Sequence, residues 1–299
     1  MTAEEKVQFD ASLKHPDVEE TIDLWFYRPL GFRLALLGKR FHWTPNQITI
    51  ASIFLGIGCG LLCYPEAWWL NAVGVFLLIL ADICDSADGQ LARLTHQYSQ
   101  LGRILDGAAG DVWFITIYLA IFFRLFPDWG WWGLALGLAA GLSHRQQAAL
   151  ADYYRQIHLL MTKISSGSSQ TVSEFTTSWQ ERQKLDALSL RRQPIETVFQ
   201  WFYVGYIVFQ EGRTPHWQKF RNRYAATLTP EMAESFRLQS RPLMPIANAL
   251  TFNCRAIVLF VSLMIGLPWL YWVAEITVFN GLYLYMNRQH ETICRQKLL

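Results

Sequence analysis

Charged side chains are scarce in this sequence. They make up 17% of the 299 residues, below the roughly 25% that is usual for soluble domains. The net charge of +2 is too small to indicate a nucleic-acid-binding protein. The 5 cysteines are scattered, mostly inside apolar runs, and have neither metal-ligand nor disulfide spacing. We therefore interpret them as small buried packing residues.

The sequence instead contains long apolar runs. Hydrophobic residues make up 52% of the chain, and several stretches approach the roughly 20 residues that a helix needs to cross a bilayer. These stretches are residues 46–64, 67–88, 104–126, 131–151, 246–265 and 267–287. We predict an all-α, polytopic integral membrane protein with six transmembrane helices, the first capped by Thr44 with Pro45 in its first turn.

The distribution of Lys and Arg indicates the orientation of these helices. The joints "YPEA", "FPDWG" and "GLP" contain neither residue. The opposite joints and ends are basic, with Lys39 and Arg40 before the first span, Arg93 and Arg103 between the second and third, and a block over 163–241. Because positive residues favour the cytoplasmic side, we expect both termini and the long loop in the cytoplasm.

Four segments follow from this pattern. Residues 1–45 would form a cytoplasmic N-terminus with an amphipathic helix on the membrane surface, since 20–43 mixes aromatics, leucines and basic residues. Residues 46–158 would hold the first four spans, and 245–299 the last two with a cytoplasmic tail. Residues 159–244 would be a cytoplasmic insertion. It contains "SSGSSQTVSEFTTS" at residues 165–178, typical of a flexible linker, and its short apolar stretch 197–209 predicts a surface-lying or re-entrant helix.

Aspartates are concentrated at the cytoplasmic ends of the second and third spans. They are Asp82, Asp85, Asp88, Asp106 and Asp111. An aspartate at the centre of a spanning helix costs about 2.5–3.5 kcal/mol, so this density requires neutralisation. Asp85 and Asp88 share a helical face, with Asp82 one turn earlier. Because Mg²⁺ and Mn²⁺ prefer short oxygen ligands, the pattern predicts a divalent metal site at the cytoplasmic boundary.

Small residues and one arginine lie between the acids. Glycine in a spanning helix usually indicates close helix packing. Here Gly89, Ala92 and Gly102 flank carboxylates, so they could equally leave space for a nucleotide. Arg93, one turn beyond Gly89, could then meet a phosphate.

The complete pattern Asp85-x2-Asp88-Gly89-x2-Ala92-Arg93-x8-Gly102-x3-Asp106 resembles the signature of the CDP-alcohol phosphotransferase family. Its members are integral membrane enzymes that transfer a substituted phosphate from a CDP-linked donor to an alcohol and release CMP. The family's usual six spans, surface helix and cytoplasmic site cover most of this chain, and we expect residues 160–243 to lie outside the resemblance.

The resemblance implies a role for each matching position. The metal ligands would be Asp85, Asp88 and Asp106, and the CDP site would be lined by Gly89, Ala92, Arg93 and Gly102. It also implies two Mg²⁺ or Mn²⁺ ions bridged by the carboxylates and the donor pyrophosphate. The expected partners are a CDP-linked lipid donor such as CDP-diacylglycerol, a polar alcohol, membrane lipids and a second copy of the chain.

One position departs from the family pattern. The family signature ends in Asp-x3-Asp, and its last aspartate is thought to be the general base, but here that position is Gly110 and Asp111 comes one residue later. In a regular helix Asp106 and Gly110 share a face, whereas Asp111 points away. A π-bulge could rotate Asp111 into place as base and metal ligand, Asp82 could act as base instead, or the protein could be inactive.

Polar residues also continue along the fourth span. His144, Arg145 and Asp152 would be costly facing lipid, so they are candidates for binding the acceptor alcohol or for an alternative role as charges at a helix end. Arg255 and Glu275, in the last two spans, could form a buried ion pair.

Two other functions fit parts of the sequence. A carboxylate-lined transporter for divalent cations or protons would use intramembrane acids, but these acids lie near one membrane surface only. An aspartate-rich prenyltransferase would need a second aspartate motif and more spans.

Overall fold

The computed structural model describes residues 3–13, 15–188, 193–225 and 227–298, and this part of the chain is helical without any β-strand. The all-α prediction is confirmed. The chain divides into two compact units. Unit 1 consists of Met1–His144 and Phe252–Val278, and unit 2 of Arg145–Thr251 and Phe279–Leu299.

The helices follow one another in chain order. The first five are α1 (Ala3–Ser12), α2 (Arg28–Arg40), α3 (Pro45–Cys63), α4 (Trp68–Thr95) and α5 (Gln100–Ser165). The next five are α6 (Ser178–Ala187), α7 (Pro194–Arg213), α8 (Pro215–Arg223), α9 (Pro230–Ser240) and α10 (Met244–Ala249). The last are α11 (Phe252–Met264), α12 (Trp269–Ala274) and α13 (Asn280–Gln296). Asp23–Tyr27 and Glu275–Phe279 are π-helical, and Val172–Glu174 and Arg241–Leu243 are 3₁₀ turns.

Four helical stretches in the described residues are long and apolar enough to cross a membrane. They are Pro45–Cys63, Trp68–Thr95, Leu105–Ser165 and Pro230–Met264. The third is broken at Gly130, whose φ of 51° and ψ of −138° are not helical and suit a residue without a Cβ. This break falls in the joint predicted between the third and fourth spans. The sixth predicted span coincides with α12, a π-helical turn and α13, and the count of six stays a prediction.

The first spanning helix begins where its sequence predicts. Thr44 Oγ1 accepts from the Gln47 backbone N–H at 3.3 Å, and Gln47 Oε1 accepts from the Thr44 backbone N–H at 2.9 Å. This reciprocal capping box satisfies two N–H groups at the start of α3. Pro45 occupies the first helical position, where no N–H is needed.

A shared apolar core joins α3, α4, the first part of α5, α11 and α12 in unit 1. It includes Leu78, Trp113, Ile117, Leu259 and Trp272, all at most 3% exposed. Gly56 allows Trp113 to pack against α3, because a Cβ at Gly56 would lie 1.9 Å from Trp113 Cδ1. Close packing at glycine is typical of helices in membranes.

The N-terminal helix α2 packs one face against α4. Phe32 and Ala35 are buried, and Gly31 approaches α4 so closely that a Cβ would lie 2.9 Å from Ser86 Oγ. Arg33 and Lys39 are exposed on the other side. Helix α2 therefore has one buried and one exposed face, and its position on a membrane surface stays a prediction.

In unit 2 the predicted insertion is folded into helices. Helix α7 covers the apolar stretch 197–209. The prediction of a flexible linker before it is wrong at two residues, because Val172 is fully buried and the ring of Phe175 packs edge-on against Tyr153 at 5.2 Å.

Candidate active site

Three aspartates from two helices meet in unit 1. Asp85 and Asp88 lie on α4 and Asp106 on α5, and a carboxylate oxygen from each lies within 4.8 Å of the others. Asp88 is buried, Asp85 is half-buried and Asp106 is exposed. We refer to these three residues as the aspartate cluster. Its oxygens suit a hard divalent cation such as Mg²⁺ or Mn²⁺.

Thr49 on α3 orients the buried member of the cluster. Its hydroxyl donates to Asp88 Oδ2 at 2.5 Å, and Ser52 in turn donates to the Thr49 carbonyl at 2.7 Å. The sequence reasoning did not include Thr49. The sequence feature that could have identified Thr49 is a polar side chain in an apolar helix, three residues after Asn46 and therefore on the same face.

Gly102 lies in the first turn of α5, where two polar side chains approach it. A Cβ at this position would lie 2.6 Å from Asn46 Oδ1 and 2.9 Å from Ser99 Oγ. The Gly102 N–H donates to Ser99 Oγ at 2.9 Å, which satisfies one of the free N–H groups at the helix start. A Cβ at Gly102 would therefore force the Asn46 and Ser99 side chains to shift. The sequence alone did not identify Asn46 and Ser99 as neighbours of the site.

Gly89 and Arg93 lie one turn apart on α4. The three atoms nearest to a Cβ built at Gly89 all belong to the Arg93 guanidinium, at 3.5–3.9 Å, so a Cβ there would be in ordinary contact with the arginine. Arg93 Nε is buried and has no hydrogen-bond partner among the described residues. Ala92, also half-buried, precedes it. A small surface next to a cationic donor suits a phosphate-bearing ligand.

Asp111 is not among the three aspartates whose carboxylate oxygens lie within 4.8 Å of one another. The described backbone of α5 is α-helical on both sides of Asp111, and the π-helical turns lie at Asp23–Tyr27 and Glu275–Phe279. The described backbone of α5 thus does not contain the π-bulge that could rotate Asp111 into place, and the role of Asp111 stays a prediction. At about 100° per residue, Asp111 is about 140° around the helix from Asp106, whereas Gly110 is about 40° from it. Asp111 is exposed.

Asp82 is half-buried on α4. It lies three residues before Asp85 and therefore about 60° from it around the helix. It lies six residues before Asp88 and therefore about 120° from that residue around α4.

His144 belongs to a buried polar network. Its Nδ1 lies 3.5 Å from Glu275 Oε1 and 3.5 Å from the Tyr271 hydroxyl. Arg255 Nη1 donates to Glu275 Oε1 and Oε2 at 2.8 and 2.7 Å, so the predicted buried ion pair is confirmed. His144 has protein partners in this network, and a role in acceptor binding stays a prediction.

Arg145 and Asp152 lie in unit 2. The Arg145 guanidinium is 6.0 Å from the Phe202 ring centroid. Asp152 Oδ2 accepts from Gln156 Nε2 at 2.6 Å and from the Tyr206 hydroxyl at 3.2 Å. These contacts join α5 to α7, and binding of an acceptor by Arg145 and Asp152 stays a prediction.

Two relatives show what the chain resembles. It is 39% identical over 101 residues to a protein named putative cardiolipin synthase in Mycobacterium tuberculosis, an alignment that covers 33% of this chain and 45% of that relative. It is 34% identical over 67 residues to a phosphatidylinositol phosphate synthase of Cutibacterium acnes, covering 22% of this chain and 31% of the relative. The chain thus aligns with less than half the length of these relatives.

A broader match covers more than half of the chain. Residues 42–229 match the CDP-alcohol phosphatidyltransferase family. The matched range includes the aspartate cluster and most of 160–243, so our expectation that the insertion lies outside the resemblance is wrong. Together with the long apolar helices, the match indicates a multi-pass membrane protein. The chain belongs to the CDP-alcohol phosphatidyltransferase family.

Proposed function

We propose that this protein is a phospholipid-biosynthetic transferase that moves a phosphatidyl group from CDP-diacylglycerol to an alcohol and releases CMP. The observation that carries this proposal is the aspartate cluster, which brings together Asp85, Asp88 and Asp106 at positions of the family signature. The contact of Gly89 with the Arg93 guanidinium supports a nucleotide site next to the cluster, because a small residue there leaves the cation accessible to a phosphate.

The cluster would hold two Mg²⁺ or Mn²⁺ ions. Three carboxylates from two helices, one of them oriented by Thr49, form an all-oxygen ligand set that suits these metals. When bound, such ions stabilise negative charge on a transferring phosphate and on the leaving group. In our proposal Asp111 is not a ligand, because a regular helix turns it away from Asp106.

The chain's own residues would bind the donor and accept a proton. Arg93 orients the nucleotide phosphates, with Gly89, Ala92 and Gly102 leaving room for the CDP group. A carboxylate takes the proton of the acceptor hydroxyl. The acceptor oxygen forms a bond to the lipid-linked phosphorus. The bond between this phosphorus and the bridging oxygen of the pyrophosphate breaks, and CMP leaves with the bridging oxygen.

Two carboxylates are candidates for this base, Asp82 and Asp111. The geometry favours Asp82, since it lies one turn from Asp85 on the same helix. Asp111 stays the candidate that the family signature suggests, displaced by one residue from the expected position.

The acceptor is proposed from the relatives and from the site. The relatives are named as a putative cardiolipin synthase and a phosphatidylinositol phosphate synthase. We propose a polar or lipid alcohol as the acceptor, to be identified from a panel of glycerol phosphate, phosphatidylglycerol, inositol phosphate and serine. His144, Arg145 and Asp152 are our candidates for acceptor binding. The proposal includes six spans, both termini and the site on the cytoplasmic side, and a homodimer.

A second reading is a catalytically degenerate member of the family. The observation in its favour is Gly110, which replaces the carboxylate expected one turn after Asp106.

CMP release from purified protein in detergent tests the proposal. CDP-diacylglycerol, Mg²⁺ or Mn²⁺ and each alcohol of the panel would be supplied, with Asp106→Asn as the test variant and the exposed Asp128→Asn, in the joint before Gly130, as its matched control. We expect metal-dependent release with one acceptor, lost in Asp106→Asn and kept in Asp128→Asn. Nucleotide binding without CMP release would support a catalytically degenerate protein. The absence of both nucleotide binding and CMP release would contradict the proposed transferase function.

A further inference from the structure

A second group of metal-ligating side chains lies in unit 2, on α13. His290, Glu291 and Cys294 each offer a ligand atom within 4.8 Å of the others. His290 and Cys294 are fully buried, one helical turn apart and therefore on the same face. All three residues lie after residue 229, beyond the family match.

The spacing of the group fits a tetrahedral metal ion. Cys294 Sγ and His290 Nδ1 are 3.7 Å apart. With a Zn–S bond of about 2.3 Å and a Zn–N bond of about 2.0–2.1 Å, a tetrahedral ion holds its sulfur and nitrogen ligands about 3.5 Å apart. The two atoms therefore need to move little to share an ion.

The imidazole is buried without a strong hydrogen-bond partner. In the described residues His290 Nε2 has no partner, and Nδ1 has only the distant thiol sulfur. The ring is fully buried, which disfavours the charged imidazolium, and the neutral imidazole is the ligand form. The Tyr154 ring stacks on it at 3.8 Å between centroids and fixes its orientation.

Glu291 is held in place by α8. Its Oε2 accepts from the His216 backbone N–H at 2.7 Å and lies 3.0 Å from His216 Nδ1, and its Oε1 accepts from the Trp217 N–H at 3.3 Å. An ionised carboxylate has about four acceptor positions, so Glu291 keeps capacity for a metal. Hydrogen bonds that orient a ligating carboxylate are typical of metal sites.

We propose that His290, Glu291 and Cys294 form a zinc site that stabilises unit 2. One thiolate, one imidazole and one carboxylate are the ligand types that zinc accepts, and a water would complete the tetrahedron. Binding releases the Cys294 thiol proton to solvent, since the thiolate is the ligand form.

The test must separate this site from the aspartate cluster. The full-length protein, purified in detergent without chelator, would be analysed for zinc in excess Mg²⁺, which occupies an all-oxygen site. Cobalt(II) would then replace zinc, because a thiolate-to-cobalt charge-transfer band reports a sulfur ligand that the aspartate cluster lacks. Cys294→Ser is the test variant, and Cys254→Ser, a half-buried free cysteine on α11, is its matched control.

We expect about one zinc per wild-type chain and a loss of at least about tenfold in Cys294→Ser, with the cobalt band present in wild type and in Cys254→Ser only. A zinc chelator added to wild type in excess Mg²⁺ should lower Tm, a result that needs no variant to fold. Wild-type protein without zinc and without a cobalt–thiolate band would overturn the proposal, as would a band that persists in Cys294→Ser.

Discussion

The Thr49 hydroxyl donates to the Asp88 carboxylate between α3 and α4 at 2.5 Å, and the two residues are 2% and 5% exposed. A buried carboxylate is costly unless hydrogen bonds or a cation compensate it. Thr49 satisfies one acceptor position, and an ionised carboxylate has about four, so Asp88 keeps capacity for a metal ion. The family signature runs along α4 and α5, yet the orientation of its most buried aspartate depends on α3.

Thr49→Val tests this relationship, because it removes the hydroxyl at nearly constant shape. We expect metal affinity and CMP release to fall by about 10- to 100-fold, the usual effect of removing a hydrogen bond that orients a metal ligand. Metal titrations of the release rate measure the change. Thr95→Val is the matched control, since Thr95 lies on α4 but donates to the Leu91 carbonyl of its own helix. Equal losses in the two variants would contradict a specific role for Thr49.

The general base can be identified by removing each of the two candidate carboxylates in turn. We expect Asp82→Asn to reduce kcat by about 100-fold or more, the range of general-base catalysis, while Asp111→Asn has a much smaller effect. Binding of the nucleotide and of Mn²⁺ should persist in both variants. The reverse pattern, with kcat lost only in Asp111→Asn, would establish Asp111 as the base.

Gly110→Asp provides a gain-of-function version of the same test. No atom lies within 4 Å of a Cβ at Gly110, and this position shares the face of Asp106. Added to Asp82→Asn, Gly110→Asp should restore part of kcat. Gly107→Asp is the matched control, because its Cβ is equally free of neighbours but lies about 100° around the helix from Asp106. Rescue by both variants would indicate a non-specific charge effect.

Much of the aspartate cluster could be predicted from sequence, because its geometry is local. Asp85 and Asp88 share a face by helical periodicity, and a short connection returns the chain at Asp106. Thr49 lies 39 residues before Asp88, so no local pattern links the two residues. The position of Asp111 could not be settled either, since it depends on whether the helix is bulged.

In the fold, too, local features such as helix boundaries could be predicted from sequence, whereas tertiary contacts could not. Gly130 breaks α5 in the joint where polar and small residues predict a boundary, and Thr44 caps α3 as its sequence indicates. The contact of Phe175 with Tyr153 could not be predicted. A serine-rich composition indicates that a segment tends to be flexible, but it does not show which residues the segment packs against in the folded protein.

Two glycines of the signature should respond differently to alanine. At Gly89 the added Cβ meets only Arg93, at 3.5 Å, and alanine favours a helix interior over glycine by about 0.8–1.0 kcal/mol. We therefore expect Gly89→Ala to keep or raise Tm while KM for the CDP-linked donor rises about tenfold, an estimate for a ligand crowded by one methyl group. Gly102→Ala should lower Tm as well, since its Cβ would lie 2.6 Å from Asn46 Oδ1. Equal Tm values for the two variants would contradict this assignment.

The ion pair of Arg255 and Glu275 should stabilise unit 1 only while both charges are present. Their side chains are 1% and 0% exposed, so Glu275→Gln leaves a buried guanidinium without a counter-charge. We expect it to lower the free energy of unfolding by about 3–5 kcal/mol, whereas Arg255→Met combined with Glu275→Gln should recover most of that loss. Thermal unfolding in one detergent, compared across both single variants and the double variant, measures the coupling. Additive losses would show that the two residues act independently, because removing a second partner from a true pair costs less than removing the first.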